Sequence, residues 1–203
     1  MKKKKLFLDL DDTFLDTDRF IRYMLKRNGV SEELVNINDD IYVLSNHPEC
    51  RDIIEFVTSN CSIIPKKVGA KESLKILKTE YDVIFVTASC REAEYKSKEA
   101  LLRGMGVPYI ITGSDKTSVD MTGGIQVDDH LIHLNQSNAE TKIFFYNKYE
   151  MIPNISTGTL EKGYKVAKDW FKLTDILMSG GEDIELRKFI CQRVQKCCEA
   201  CRV

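Results

Sequence analysis

Five short apolar runs constrain this chain more than any other feature of its sequence: Leu6 to Leu10, Val83 to Thr87, Tyr109 to Thr112, Gly124 to Val127 and Lys142 to Tyr146. Polar or glycine-containing turns bound each of them. Their hydrophobicity is near-continuous rather than alternating, which is what strands covered on both faces of a parallel sheet require. Helical spacing separates several runs. Lys71 to Lys78 carries Leu74, Ile76 and Leu77 at steps that suit one face, and Arg91 to Arg103 is rich in Glu, Ala, Lys and Leu before a stop at Gly104. This alternation predicts an α/β, Rossmann-like, doubly wound sheet of five parallel strands. Its first, second and fourth strands are expected to be neighbours, with their C-terminal ends meeting at the topological switch point.

Between the first two runs lie about seventy residues, far more than a crossover needs. Helical patterns at Arg19 to Arg27, Glu33 to Val35 and Arg51 to Val57 make residues 17–68 a small helical cap inserted after the first strand. Residues 1–16 and 69–180 then form the core. A loop at Ser179 to Asp183 precedes a last helix within 181–203, whose stripe is Leu186, Ile190, Val194, Cys197 and Cys201.

Composition narrows the function classes. The chain has 203 residues, 43% hydrophobic and 30% charged, with a formal net charge of -1. Such a balance gives no overall basic field for polymeric nucleic acid or a membrane surface. Lys2 to Lys5 resembles the start of an export signal, but only Leu6, Phe7 and Leu8 follow before the first aspartate. A signal needs roughly 7 to 15 apolar residues there, and a membrane span roughly 20. A cytoplasmic protein is expected. Seven cysteines, an odd number, argue against a disulfide framework. Cys191, Cys197, Cys198 and Cys201 fall within eleven residues of one predicted helix rather than in two separated pairs, so packing is favoured over zinc. The three histidines show no ligand spacing, and His130 is left without a role.

The chemistry concentrates at strand ends. In Leu6-Phe7-Leu8-Asp9-Leu10-Asp11-Asp12-Thr13, alternation along a strand turns Asp9 and Asp11 the same way, into one pocket. Three acids closing a buried strand are costly without a neutralising cation. Gly124-Ile125-Gln126-Val127-Asp128-Asp129 is a second apolar run ending in paired carboxylates. Hard oxygen ligands from two strand ends suit Mg2+, which keeps waters and leaves room for a phosphate. Val83-Ile84-Phe85-Val86-Thr87-Ala88-Ser89 ends in hydroxyls and free backbone amides able to receive phosphate oxygens, and Lys116 adds a positive charge. Together these are the parts of a phosphoryl-transfer site.

The four elements resemble the four motifs of the haloacid dehalogenase superfamily: Asp9-Leu10-Asp11-Asp12-Thr13, then Thr87, then Lys116, then Asp128-Asp129. The resemblance implies a role for each. Asp9 attacks phosphorus and becomes an aspartyl-phosphate. Asp11 protonates the leaving oxygen and then activates water, while its backbone carbonyl binds Mg2+. Thr87, Ala88 and Lys116 hold the phosphate. Asp129 is a direct metal ligand alongside Asp9 and Asp11, with Asp128 beside it or one shell out. An acid at Asp11 also argues against a dehalogenase, which has no leaving oxygen to protonate.

A narrower resemblance rests on Thr112-Gly113-Ser114-Asp115-Lys116-Thr117 followed by Ile125-Gln126-Val127-Asp128-Asp129, with echoes at Ile143 to Asn147 and Val166 to Trp170. These are similar to the 5'(3')-deoxyribonucleotidase family, which implies a small phosphorylated substrate, a nucleoside monophosphate, and allows a homodimer. Thr17 stands where that family presents a cap aromatic, so Phe20, Tyr42 and Phe56 are the candidates for stacking on a base. The competing readings are a phosphatase or mutase of sugar phosphates on the same core and a catalytically silent binding protein. A receiver domain fits poorly, because it needs no cap.

Overall fold

The structure, a computed structural model, describes residues 2–35, 41–145 and 163–178, with the side chains of Ile41 and Tyr42 outside the description. Six parallel strands form one sheet in the order β3-β2-β1-β4-β5-β6. They are β1 (Lys4–Leu8), β2 (Tyr81–Ala88), β3 (Tyr109–Thr112), β4 (Ile125–Asp128), β5 (Thr141–Phe145) and β6 (Lys165–Ala167). The fold is therefore the expected α/β, Rossmann-like one. The sixth strand is a correction to the five expected. At three residues, only two of them apolar, β6 gives no hydrophobic run of its own and exists by pairing along β5.

β1 lies between β2 and β4, with Leu6 opposite both Val83 and Ile125. Its side chains alternate between faces. Leu6 and Leu8 join the large core cluster, while Phe7 packs with Val86, Val119, Met121 and Ala139 on the other face. The strand stops two residues earlier than its apolar run predicts. Asp9 still donates its N–H to the Val127 carbonyl at 3.0 Å, but then Phe14 and Leu15 both return their amides to the Leu10 carbonyl, at 3.0 and 2.8 Å. Leu10 is fully buried at this turn, and Asp12 adopts a left-handed φ of 50° within it.

Helices α1 (Thr17–Arg27), α2 (Glu32–Val35), α3 (Ile41–Leu44) and α4 (Pro48–Thr58) and a 3-10 turn (Cys61–Ile63) lie between β1 and β2. Their entry and exit strands run side by side: Leu15 bridges Lys66, Asp16 N–H donates to Pro65 and Lys67 N–H donates to Phe14. Ile21, Leu25, Val35, Leu44, Ile54 and Val57 belong to the same apolar cluster as Leu6 and Leu8. The inserted layer is thus seated on the core by continuous burial, the dominant favourable term in folding.

Helices α5 (Ala70–Glu80), α6 (Glu92–Gly104), α7 (Leu131–Gln136) and α8 (Trp170–Met178) complete the described elements. Trp170, fully buried, contacts Phe14 edge-on and Phe145, and donates its indole N–H to the Thr13 carbonyl at 2.9 Å. This ties α8 to the turn that carries the aspartates. The helix expected within 181–203, with its four cysteines, lies outside the described residues. Among the described residues, no helix is long and apolar enough to cross a membrane.

Candidate active site

Because β1, β2 and β4 are adjacent and parallel, the residues just past their C-terminal ends meet at one edge of the sheet. There a cavity of about 480 Å³ is lined by Asp9, Asp11, Asp12, Thr87, Ala88, Lys116, Asp128 and Asp129 together with α1 and α4 residues including Thr17, Ile21 and Ile54. All seven core residues expected at the site, from four separate stretches of chain, therefore share one wall.

Lys116 is the electrostatic centre. Its Nζ donates to Asp9 Oδ1 at 2.5 Å and to Asp128 Oδ2 at 2.7 Å, and all three side chains are buried. Burial disfavours the ammonium, but Asp128 and Asp9 raise its pKa above the ordinary lysine value. Burial likewise works against the Asp128 charge, yet Lys116 and then His133 hold it well below the ordinary carboxylate range. Asp128 has little left to offer a metal. Oδ2 also accepts from Gln126 Nε2, and Oδ1 accepts the His130 N–H at 2.9 Å and lies 3.3 Å from His133 Nδ1. Asp128 is thereby the anchor of Lys116.

Asp129 is the opposite case. Its carboxylate accepts no hydrogen bond from the described residues. Burial raises its pKa well above the ordinary value, and Asp9, Asp12 and Asp128 add to the effect. Asp9 is raised too, chiefly by burial, with Lys116 opposing. Carboxylate oxygens of Asp9, Asp128 and Asp129 come within 4.8 Å of one another. A buried anionic surplus of hard oxygens with an unpartnered member fits a divalent cation such as Mg2+. Asp9, Asp129 and the Asp11 carbonyl are the groups that would hold it. That carbonyl accepts the Thr13 N–H at 2.6 Å and keeps a second lone pair.

Asp11 faces the same cavity but is held apart from Lys116. Oδ1 accepts the Thr17 hydroxyl at 2.9 Å, and Oδ2 pairs with Lys98 Nζ at 2.7 Å and lies 3.5 Å from Thr87 Oγ1. Burial raises its pKa, but the Lys98 ammonium outweighs it, and the net direction is below the ordinary carboxylate value. Asp12, the third acid of the run, also lines the cavity, but its carboxylate is engaged by the backbone. It caps α1 by accepting the Asp18 N–H at 3.0 Å, in the geometry that satisfies a helix's first amides.

Several expectations need correction. Phe20 and Phe56 do not line the cavity: Phe20 stacks on Tyr23 with ring centroids 6.2 Å apart, and Phe56 is 54% exposed. The Tyr42 side chain lies outside the described residues. Among the described residues no Phe, Tyr or Trp lines the cavity. The amides after Thr87 are not all free either, since the Ser89 N–H donates to the Thr112 and Gly113 carbonyls at 3.0 Å. Sequence reasoning also passed over Lys98, Glu94 and His133. The spacing Glu94-x-x-x-Lys98 in the helix after Thr87 was the available signal for two of them.

No family model matches the sequence, and no curated protein matches it. Solved structures do. A haloacid dehalogenase-like family hydrolase from Streptococcus pneumoniae superposes with a TM-score of 0.59 at 10% identity, over 86% of this chain and 98% of that one. A haloacid dehalogenase-like family hydrolase from Xanthomonas campestris gives 0.52 at 9% identity, over 88% and 96%. A candidate phosphatase from Clostridium difficile gives 0.55 at 18% identity, over 87% and 99%. The fold is that of the haloacid dehalogenase-like hydrolases. In this chain the haloacid dehalogenase-like fold sets Asp9 after the central strand β1, at the edge where the cavity opens.

Proposed function

We propose that this chain is a magnesium-dependent phosphomonoester hydrolase acting through an aspartyl-phosphate on Asp9. One observation carries the reading: Asp9, Asp11, Thr87, Lys116 and Asp129 line one cavity, with the Lys116 ammonium fixed between Asp9 and Asp128. Lys116 holds Asp9 through Oδ1, which leaves Oδ2 to attack phosphorus. Asp11 is ionised in the free site; it takes up a proton as the anionic phosphate enters the cavity, and gives it to the leaving oxygen as that bond breaks. Asp11 then takes a proton from water, which attacks the aspartyl-phosphate and frees inorganic phosphate and Asp9. Lys116 and the Thr87 hydroxyl offset the charge that develops on the phosphoryl oxygens. A bound Mg2+ supplies charge neutralisation between nucleophile and phosphate.

For the substrate, the resemblance of the Asp115-Lys116-Thr117 stretch leading to β4 to the 5'(3')-deoxyribonucleotidase family supports a nucleoside monophosphate. A second reading, a sugar phosphate or similar small metabolite, is favoured by the cavity walls. They are aliphatic at Ile21 and Ile54 and hydroxylated at Thr58 and Ser114, and among the described residues their only aromatic rings are the imidazoles of His130 and His133, with no Phe, Tyr or Trp for a base to stack on.

The test is phosphate release from a panel of nucleoside monophosphates and sugar phosphates, with Mg2+ and with chelator, using Asp9→Asn as the control. Release that needs both Mg2+ and Asp9 is expected. A folded Asp9→Asn variant that keeps most of its turnover would remove Asp9 as the nucleophile, and sugar phosphates as the better substrates would remove the nucleotidase reading.

A further inference from the structure

Beneath the cavity floor lies a charged side chain with no part in the proposed reaction steps. Lys98, on α6, is 1% exposed and does not line the cavity. Its ammonium has three hydrogens and three acceptors: Asp11 Oδ2 at 2.7 Å, Glu94 Oε1 at 2.7 Å and the Ala88 carbonyl at 2.6 Å. With every donor spent, Lys98 cannot reach a phosphoryl oxygen without abandoning a buried partner, so it is not a phosphate ligand.

Its contacts set geometry instead. Asp11 is gripped on both oxygens from opposite sides, Oδ1 by Thr17 of α1 and Oδ2 by Lys98 of α6. Two contacts to one carboxylate fix the plane of the group as well as its place. Glu94, with a side chain 5% exposed, braces Lys98 one turn away on the same helix, and the Ala88 carbonyl ties it to the residue after Thr87. If Lys98 merely neutralised a buried glutamate, Glu94 alone would satisfy it.

We propose that Lys98, braced by Glu94, is the positioning residue that holds the Asp11 carboxyl in line with the leaving oxygen. The proposal rests on the phosphohydrolase reading and concerns the step in which Asp11 transfers a proton as the ester bond breaks.

Leaving-group dependence separates positioning from simple support of the fold. An aliphatic alkoxide leaves only with a proton, whereas p-nitrophenolate leaves without one, and kcat/KM reports steps up to departure of that group. In Lys98→Met, kcat/KM for an aliphatic phosphate ester is expected to fall by about 10²-fold, and for p-nitrophenyl phosphate by less than about threefold. A crystal structure of the variant should show the Asp11 carboxyl rotated from its wild-type position. Equal losses on both esters, or full activity, would overturn the proposal while leaving the phosphohydrolase reading intact. No release of either ester by the wild type would overturn both. Should Lys98→Met not fold, Glu94→Gln gives the same test, since Lys98 keeps Asp11 but exchanges its ionic brace for a neutral acceptor. The same split in smaller degree supports the proposal, and its absence overturns it.

Discussion

At the residue scale, the site is an arrangement of buried charge in which each group's partner decides its use. Lys116 between Asp9 and Asp128 and Lys98 between Asp11 and Glu94 are two ammonium groups serving four carboxylates. They divide the pocket into an Asp9 side and an Asp11 side. Lys116→Ala leaves two buried carboxylates without their cation, which costs about 3–5 kcal/mol of stability. In the proposed reaction Lys116 offsets charge developing on the phosphoryl oxygens, so turnover is expected to fall by about 10²–10³-fold in the same variant. Phosphate-release kinetics beside a thermal melt check both parts. Unchanged kinetics in a folded variant would take Lys116 out of the site.

At the element scale, β4 must lie close against β1 for Asp129 to face Asp9. Gly124 stands at its start, where a Cβ would come within 2.6 Å of the Phe7 ring and 3.1 Å of the Met121 carbonyl. Phe7 is 2% exposed and packed against Val86 and Met121, so it has no room to yield. Gly124→Ala is expected to destabilise by about 1–3 kcal/mol through overpacking, seen as a lower denaturation midpoint. A midpoint equal to wild type would show that the β1–β4 contact is looser than these distances require. Helix α6 has a matching role on the other side. Arg91, at its N-cap, reaches Thr58 at 2.8 Å and Glu55 at 3.2 Å, both on α4 of the inserted layer, while Ser97 accepts the Cys61 N–H at 2.7 Å.

For the whole molecule, the anionic surplus at the sheet edge couples stability to pH and to metal. Asp9, Asp12 and Asp129 all have pKa values raised above the ordinary 3.8, chiefly by burial. The metal-free folded state therefore binds these protons more tightly than the unfolded chain does. Its stability falls as pH rises from the ordinary carboxylate value through the raised ones. Asp128 acts in the opposite sense: its depressed pKa gives stability that is lost only on acidification below the ordinary value. A Mg2+ ion held as proposed by Asp9 and Asp129 would compete with protons for them, so its stabilising effect is expected to be larger at about pH 8 than at about pH 5. At a hundred times its Kd the gain amounts to about 2.7 kcal/mol. Melting curves in chelator and in Mg2+ at both pH values check this, and an equal Mg2+ shift at the two would contradict it.

The sequence by itself determined the fold class and the chemical wall of the site. Short apolar runs that alternate with helical patterns read as strands of a parallel sheet, and acids ending two of them make one site once those strands are adjacent. It could not determine β6, which has too few apolar residues to stand out, nor that Phe20 and Phe56 lie off the cavity, since both helix faces near them carry large side chains. The clearest limit lies within α6. Glu92 and Lys96 pair four residues apart with side chains 80% and 69% exposed, and Glu94 and Lys98 pair at the same spacing with side chains 5% and 1% exposed. In the sequence the two pairs are the same pattern. Only tertiary structure decides between them: a helix turns about 100° per residue, so a shift of two positions moves a pair from water to the face that packs under Asp11.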